Sequence, residues 1–183
     1  TDARIPIANR YFGVFQSGEI KVRGLEARRR DTPVWIAAVQ KQMIALLGQA
    51  RTKAELSDCI HEAFCFYYTA LQKLEDNQVP LEQLVINGKV SYALEAYKAS
   101  TASVRAARQM EAAGMPIKPG MRIRFIYRKG EPDVFAWDLG KPIDPQEVNK
   151  PKYIELLAKA GSAVLAPFGI SEALFREWSE NRS

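Results

Sequence analysis

The chain has 183 residues, of which 47% are apolar, and it carries 26 Lys and Arg against 21 Asp and Glu, a net charge of +5. This size predicts one domain with a substantial core and room for a fragment of a second. No apolar run reaches the roughly 18 residues of a membrane-spanning helix, and no signal peptide is visible, so we expect no membrane partner. Cys59 and Cys65 are too few for a disulfide framework, which favours a cytoplasmic location. The first residue is not Met and a strand follows almost at once, which indicates a piece of a longer chain.

The basic residues fall into two blocks. Residues 1–30 hold seven Lys and Arg against three Asp and Glu, and residues 97–130 hold eight against one. The stretches 31–96 and 131–183 are mildly acidic. A single basic block is as typical of a solvent-exposed face as of a contact surface. Two blocks separated by an acidic stretch favour two contact surfaces.

The first basic block contains a predicted β-ribbon. Two β-type runs, residues 10–15 and 19–23, flank a turn that contains Gly18. Alternation places Lys21 and Arg23 on one side of the ribbon and apolar residues on the other. Three arginines, residues 28–30, follow closely. A small sheet with a basic, solvent-facing edge is typical of a surface that binds a phosphate backbone.

Two long helices are predicted next. The run Asp31-Thr32-Pro33 starts the first, with its Asp or Thr as the cap and its Pro at the first helical position, and Gly48 ends it. The run Thr52-Lys53-Ala54-Glu55 is a capping-box pattern that opens the second, which ends near Asp76-Asn77. Residues 84–86 form a strand or a bend.

The second half predicts further helices and one hairpin. Residues 121–128 alternate apolar and basic side chains, which predicts a half-buried strand, and residues 134–139 form its partner. Ser100 or Thr101 caps a helix that Gly114 closes. The other helices are predicted over residues 90–97, residues 151–165 and from Ser171 to about residue 178. The fold class is therefore α+β and mostly helical.

Two side-chain groups suggest chemistry. Cys59, His61 and Cys65 supply three soft ligands, but a structural zinc site needs four and the chain has no other Cys or His, so we interpret them as helix packing. Asp133 and Asp138 resemble a carboxylate pair, but their spacing along a strand puts them on opposite faces. We therefore expect no catalytic residue and no metal ligand in this chain.

Three motifs follow one another in the first block: Asn9-Arg10-Tyr11, Arg23-Gly24-Leu25-Glu26 and Arg29-Arg30-Asp31. They resemble the end of the palm in family B DNA-directed DNA polymerases, where a basic motif with Tyr, a strand ending in Arg-Gly-Leu/Ile-Glu and a basic pair before Asp occur in this order. Asn9 stands where the family has a basic residue, so this position can donate a hydrogen bond but carries no charge.

The second half continues the resemblance in the same order. A Tyr-Lys pair followed by small polar residues and a basic helix resembles the thumb and spans residues 97–108. The turn Ile117-Lys118-Pro119-Gly120, the pair Lys152-Tyr153 and the tail Pro167-Phe168-Gly169 are similar to later thumb motifs. The resemblance implies a palm β-ribbon followed by a mostly α-helical thumb with a small antiparallel β hairpin. Residues 1–31 would be the C-terminal segment of the palm and residues 32–183 the thumb.

The resemblance implies binding of primer–template duplex DNA through phosphates, without base specificity. The residues expected to bind at the palm are Arg10, Tyr11, Lys21, Arg23, Arg28, Arg29 and Arg30. Those expected at the thumb are Lys98, Ser100, Thr101, Ser103 and Arg105. Lys118, Arg122 and Arg124 rank lower because a solvated outer face explains them equally well.

The chemistry of such a polymerase is expected outside this chain. Template-directed synthesis needs a divalent metal, Mg²⁺, held by carboxylates in an Asp-x-x-Ser-Leu-Tyr-Pro-Ser motif and a Tyr-Gly-Asp-Thr-Asp motif. Neither occurs here, and both would lie upstream of Thr1, so we expect the fragment to be inactive and to hold no cofactor itself. A sliding clamp stays open as a partner of the parent protein. The run Gln40-Lys41-Gln42-Met43 faintly resembles a clamp peptide but lacks its aromatic pair.

Two other classes of function stay open on the residues alone. One is a free-standing basic DNA-binding module, and the other is a protein-interaction domain whose basic faces meet an acidic partner. Preference for duplex DNA over a non-nucleic polyanion such as heparin separates the protein-interaction domain from the two DNA-binding classes.

Overall fold

The computed structural model describes residues 11–14, 17 and 19–180. Strands β1 (Tyr11–Val14) and β2 (Ile20–Arg23) pair antiparallel, with Tyr11 opposite Arg23, which confirms the predicted ribbon. Paired residues of antiparallel strands point to the same side, so Tyr11, Lys21 and Arg23 share one face. Phe12 lies on the other face and packs against the core. Arg10, Asn9 and most of the predicted turn lie outside the described residues.

Six helices follow within the described part of the chain. They are α1 (Val34–Leu47), α2 (Lys53–Glu75), α3 (Leu81–Leu84), α4 (Ala102–Ala112), α5 (Lys150–Leu165) and α6 (Glu172–Glu180). The capping box is confirmed: Thr52 Oγ1 accepts from the Glu55 N–H at 3.2 Å, and the Glu55 carboxylate accepts from the Thr52 N–H at 3.2 Å. Thr101 caps α4 by accepting from the Val104 N–H at 3.4 Å.

The predicted cap of α1 is wrong. Pro33 is the N-cap and provides no side-chain hydrogen bond, so neither Asp31 nor Thr32 caps the helix. The physical reason is competition: the Asp31 carboxylate accepts two hydrogen bonds from the Arg29 guanidinium instead.

A three-stranded antiparallel sheet has the order β3 (Ile86–Lys89), β4 (Arg122–Tyr127), β5 (Val134–Ala136). It contains the predicted hairpin, with a third strand, β3, added at the edge of β4. The strand predicted over residues 134–139 is too long, because Trp137–Leu139 form a 3₁₀ turn. There the Asp138 carboxylate accepts a hydrogen bond from the Arg124 N–H at 3.2 Å. This side-chain bond takes the place of a main-chain hydrogen bond between β4 and a longer β5.

The helix predicted over residues 90–97 is also wrong. Only Leu94–Ala96 form a 3₁₀ turn. The Tyr97 hydroxyl accepts from the backbone N–H groups of Ser91 at 2.6 Å and Tyr92 at 3.2 Å, so a side chain takes the donors that would begin a helix. This loop leads from β3 to α4.

One core joins all these elements. Gly161 lets α5 approach α2, because a Cβ at this position would lie 2.8 Å from the ring of Tyr67. Tyr153 is buried in α5, and its hydroxyl accepts from the Tyr127 N–H at 3.1 Å, which connects the sheet to the helices. Burial raises the pKa of the Tyr153 phenol well above its ordinary value. Leu25, which follows the ribbon, is buried in the same core, and a domain division at residue 31 stays a prediction. None of the helices within the described residues is long and apolar enough to cross a membrane.

Candidate nucleic-acid interface

An open groove of about 1050 Å³ lies between the segment after the ribbon, the strands β3 and β4, and the first turn of α4. Its floor is apolar and includes Ile86, Phe125 and Leu156. Its polar and charged lining comes from four separate parts of the sequence: Arg29, Arg30, Asp31, Asn87, Lys89, Thr101, Ser103 and Arg122. The groove therefore brings four of the predicted DNA-binding residues, Arg29, Arg30, Thr101 and Ser103, to one surface.

A buried amide fixes the arginine side of the groove. The Gln40 side chain, fully buried in α1, donates to Glu26 Oε2 at 2.9 Å and to the Ala160 carbonyl at 2.8 Å. Its carbonyl oxygen accepts from the Ala27 N–H at 2.6 Å. These bonds hold the 3₁₀ turn Glu26–Arg28 against α1 and α5. The Arg29 N–H donates to the Glu26 carbonyl at 2.9 Å, so the arginines leave this turn in a fixed direction.

The Asp31 carboxylate is hydrogen-bonded to the guanidinium of Arg29. Arg29 Nε donates to Oδ1 at 3.0 Å and Nη2 to Oδ2 at 2.7 Å, and both side chains are about half exposed. The hydrogen bond from Arg29 holds the pKa of the Asp31 carboxyl below its ordinary value, and the same bond raises the pKa of Arg29. A phosphate that binds Arg29 must therefore compete with a charged carboxylate at neutral pH.

The opposite side of the groove is the start of α4. Thr101, Ala102 and Ser103, at the N-cap and start of α4, line the groove, and Asp31 is the one acidic residue among the described lining residues. Free N–H groups at a helix N-terminus favour anions, and hydroxyl groups add donors. The groove can thus accept phosphate oxygens from both of its sides.

Arg105 lies behind the groove rather than on its lining. Its Nε and Nη2 donate to the two Asp133 carboxylate oxygens at 2.7 and 2.6 Å, and its Nη1 donates to the Ser100 carbonyl. On the next turn, Gln109 donates to the Val134 carbonyl at 2.7 Å. Arg105 therefore ties the loop before α4 to the segment before β5.

The other predicted DNA-binding residues that the structure describes lie outside the groove lining. Tyr11, Lys21 and Arg23 lie on the ribbon, and Arg28 is exposed on the 3₁₀ turn. Lys98 and Ser100 are exposed on the loop before α4. Of the lower-ranked residues, Arg122 lines the groove, Arg124 pairs with Asp138 at 2.5 Å and Lys118 is exposed in a turn.

Two residues of the groove lining, Asn87 and Lys89, were not predicted from the sequence. Both come from β3, whose strand character was not recognised beyond residue 86. The available signal was Lys89 itself, an isolated basic residue between Lys73 and Lys98, and this signal is too weak without the pairing of β3 with β4.

The soft ligands and the aspartates form no common site. Cys59 is buried, as expected for helix packing, but that interpretation is wrong for His61 and Cys65, which are exposed on α2 with His61 Nε2 3.5 Å from Cys65 Sγ. Asp133 and Asp138 pair with two different arginines. Over the described ranges, no group of three or more His, Cys, Asp or Glu side chains is arranged to hold a metal ion.

Comparison with known proteins assigns the family. The sequence profile of "DNA polymerase family B" matches residues 8–159. The chain belongs to DNA polymerase family B. It is 25% identical over 162 residues to DNA polymerase 1 of Saccharolobus solfataricus, a match that covers 88% of this chain and 18% of that protein. It is 31% identical over 144 residues to the DNA polymerase of Thermococcus kodakarensis, covering 79% of this chain and 8% of that protein.

A solved structure shows the same fold. The family B DNA polymerase from the hyperthermophilic archaeon Pyrobaculum calidifontis superposes with a TM-score of 0.65 at 19% identity, covering 85% of this chain and 19% of that one. The predicted family and the predicted α+β fold are confirmed. The chain spans less than a fifth of the length of these family B polymerases.

Proposed function

We propose that residues 1–31 are the palm end and residues 32–183 the thumb of a family B DNA polymerase, and that together they bind the backbone of the primer–template duplex. The observation that carries this proposal is the groove, whose lining includes Arg29 and Arg30 together with the start of α4. Four separate parts of the sequence contribute cationic or hydroxyl side chains to one concave surface. An extended polyanion meets both sides of such a surface at once.

The chemistry of the lining matches a sequence-independent grip. Arginine and lysine bind phosphate oxygens through charge, and hydroxyl and backbone N–H groups bind them through hydrogen bonds. A polymerase advances by one base pair in each cycle, so contacts that ignore base identity let the duplex slide. Lys98 and Ser100 would extend the grip along the loop before α4, and Lys21 and Arg23 would extend it along the ribbon.

Nucleotide transfer belongs to the parent protein in this proposal. Mg²⁺ supplies the electrostatic stabilisation for phosphoryl transfer when it is bound between carboxylates. The described residues do not fit that role, since no cluster of three acidic side chains is arranged around a common point. The chain by itself is therefore expected to bind primer–template without extending it, and metal-dependent primer extension by the pure chain would contradict this. A sliding clamp would likewise be a partner of the parent.

Competition binding tests the proposed function. A fluorescent primer–template is bound to the chain and displaced by unlabelled duplexes of unrelated sequence and by heparin. Equal displacement by all duplexes, and weaker displacement by heparin at equal charge concentration, supports a duplex-shaped groove. Preferential displacement by heparin indicates a general polyanion-binding or acidic-partner domain instead.

Two variants that each remove one positive charge, one in the groove and one outside it, test whether DNA binds in the groove. Arg30→Gln removes a cation from the groove, and Lys41→Gln removes an exposed cation from α1 that does not line it. The proposal predicts weaker duplex binding for Arg30→Gln only. Equal loss in both variants would mean that net charge, not the groove, determines binding.

A further inference from the structure

Two cations face each other across the strands that form one side of the groove. Lys89 of β3 and Arg122 of β4 are direct partners in the antiparallel register, so their side chains leave the same face of the sheet. Both are exposed, and both line the groove. Like charges at directly opposed positions destabilise a sheet, so this pair is unfavourable in the absence of an anion.

The same sheet neutralises its other arginines. Arg124, two residues along β4, pairs with Asp138 at 2.5 Å. Arg128, just beyond the strand, pairs with Glu147 at 3.1 Å. Within the part of the chain that the structure describes, neither Lys89 nor Arg122 has an ion pair or a side-chain hydrogen bond. Among the cations within β3 and β4, Lys89 and Arg122 are therefore the two without a carboxylate partner in the described residues.

The strand that carries Lys89 is held against the start of α4. Gly88 precedes Lys89 and lies against Ser103, where a Cβ on the glycine would be 2.6 Å from Ser103 Cβ. This contact fixes the end of β3 beside the hydroxyl groups that line the groove. Side chains alternate along a strand, so Lys89 and Arg122 leave the face of the sheet opposite to the Gly88–Ser103 contact, and an anion between them adds to the contacts of α4 rather than sharing them.

We infer that Lys89 and Arg122 form a phosphate clamp that takes a phosphodiester group of the duplex backbone. The inference rests on the proposed function for the source of the phosphate. The ammonium and the guanidinium both donate hydrogen bonds to phosphate oxygens, and the bound anion replaces their mutual repulsion with attraction. The clamp adds a contact from β3 and β4 to those from Arg30 and α4.

The test uses Lys89→Gln and Arg122→Gln, with Lys129→Gln as the control. Lys129 is an exposed cation just beyond β4 that does not line the groove. Each clamp variant is expected to lower duplex affinity roughly five- to tenfold near 0.1 M salt and to reduce the slope of log K against log salt by about 1. The same variants should raise the melting temperature of the free chain, because they remove the like-charge contact. Lys129→Gln should retain the wild-type affinity and slope.

A second probe separates failure of the clamp from failure of the proposed function. Wild-type duplex affinity and slope in both clamp variants would overturn the clamp and leave the proposed function standing. If the wild-type chain binds no duplex, the proposed function fails, and inorganic tripolyphosphate decides the clamp. A tripolyphosphate-induced rise in melting temperature that the Lys89→Gln/Arg122→Gln double variant loses supports a phosphate site at this pair. A rise that the double variant keeps, or no rise at all, overturns it.

Discussion

Gly88 of β3 lies against Ser103 of α4 so closely that a Cβ on the glycine would be 2.6 Å from Ser103 Cβ and 2.9 Å from its Oγ. The ring of Phe125 would be 3.3 Å away on the floor of the groove. The absence of a side chain at residue 88 therefore sets the distance between the edge of the sheet and the first turn of α4. That distance determines whether one phosphate backbone meets both.

The first prediction concerns this contact. Gly88→Ala forces β3 and α4 apart, which should lower the free energy of unfolding by about 1–3 kcal/mol and weaken duplex binding. Urea unfolding and fluorescence anisotropy measure the two effects. Gly13→Ala is the control, because a Cβ there meets nothing within 4 Å. Unchanged stability and affinity in Gly88→Ala would show that β3 and α4 adjust freely.

The second prediction concerns Arg105, expected from the sequence to bind DNA and found paired with Asp133. If it acts as a brace for the loop before α4, Arg105→Asp should weaken duplex binding. The exchanged double variant, Arg105→Asp with Asp133→Arg, should then restore most of the affinity, because the ion pair is rebuilt in the opposite sense. Anisotropy at fixed salt measures all three proteins.

A direct phosphate contact would behave differently. The double variant would then stay weak, and its salt slope would remain lower than the wild-type slope by about 1. The unfolding free energy of each variant is measured in parallel, so that loss of the fold is not mistaken for loss of binding.

The third prediction concerns Asp31. Asp31→Asn releases the Arg29 guanidinium and removes a negative charge from the groove lining, so duplex affinity should rise. The expected gain is roughly two- to fivefold, because an exposed ion pair is worth up to about 1 kcal/mol. Anisotropy at 0.1 M salt measures it. A fall in affinity would mean that Asp31 orients Arg29 for phosphate rather than competing with it.

The same pair has a defined pH dependence. Arg29 lowers the pKa of Asp31 in the folded chain below its ordinary value of 3.8. A carboxyl with a lowered pKa stabilises the fold above the unfolded-state pKa, and this contribution is lost as pH falls through the folded-state value. The difference in unfolding free energy between wild type and Asp31→Asn should therefore be constant above about pH 5 and shrink below 3.8. Urea unfolding between neutral and acidic pH tests this, and a difference that shrinks near neutral pH would contradict it.

The fourth prediction concerns the buried amide of Gln40. Gln40→Leu removes its bonds to Glu26, Ala27 and Ala160 and leaves their polar groups buried without this partner. The free energy of unfolding should fall by about 1–3 kcal/mol. Gln42→Leu, an exposed position on the same helix, is the matched control and should change it little. Equal effects in the two variants would mean that the Gln40 hydrogen bonds do not stabilise the 3₁₀ turn Glu26–Arg28.

The features that the sequence predicted depend on local signals. The ribbon follows from alternation, and the Thr52 and Thr101 caps follow from residues within one turn of the helix start. The features it missed depend on distant partners. Asn87-Gly88-Lys89 has little intrinsic strand preference and becomes β3 by pairing with β4.

In the candidate site, too, local signals were predicted and contacts between distant residues were not. The arginine run and the polar start of α4 are visible as motifs, so Arg29, Arg30, Thr101 and Ser103 could be named in advance. The ion pair by which Arg105 braces the loop before α4 could not be predicted, because its partner Asp133 lies 28 residues away along the chain. Lys89 and Arg122 become neighbours only through the strand register.

Salt-dependent duplex binding tests the central claim most directly. Anisotropy of a labelled primer–template is titrated with the wild-type chain at several salt concentrations. A groove that holds about five phosphates predicts that log K falls against log salt with a slope of about −4 to −5, independent of DNA sequence. A slope near zero, or no binding at low salt, would contradict a groove that grips the duplex backbone.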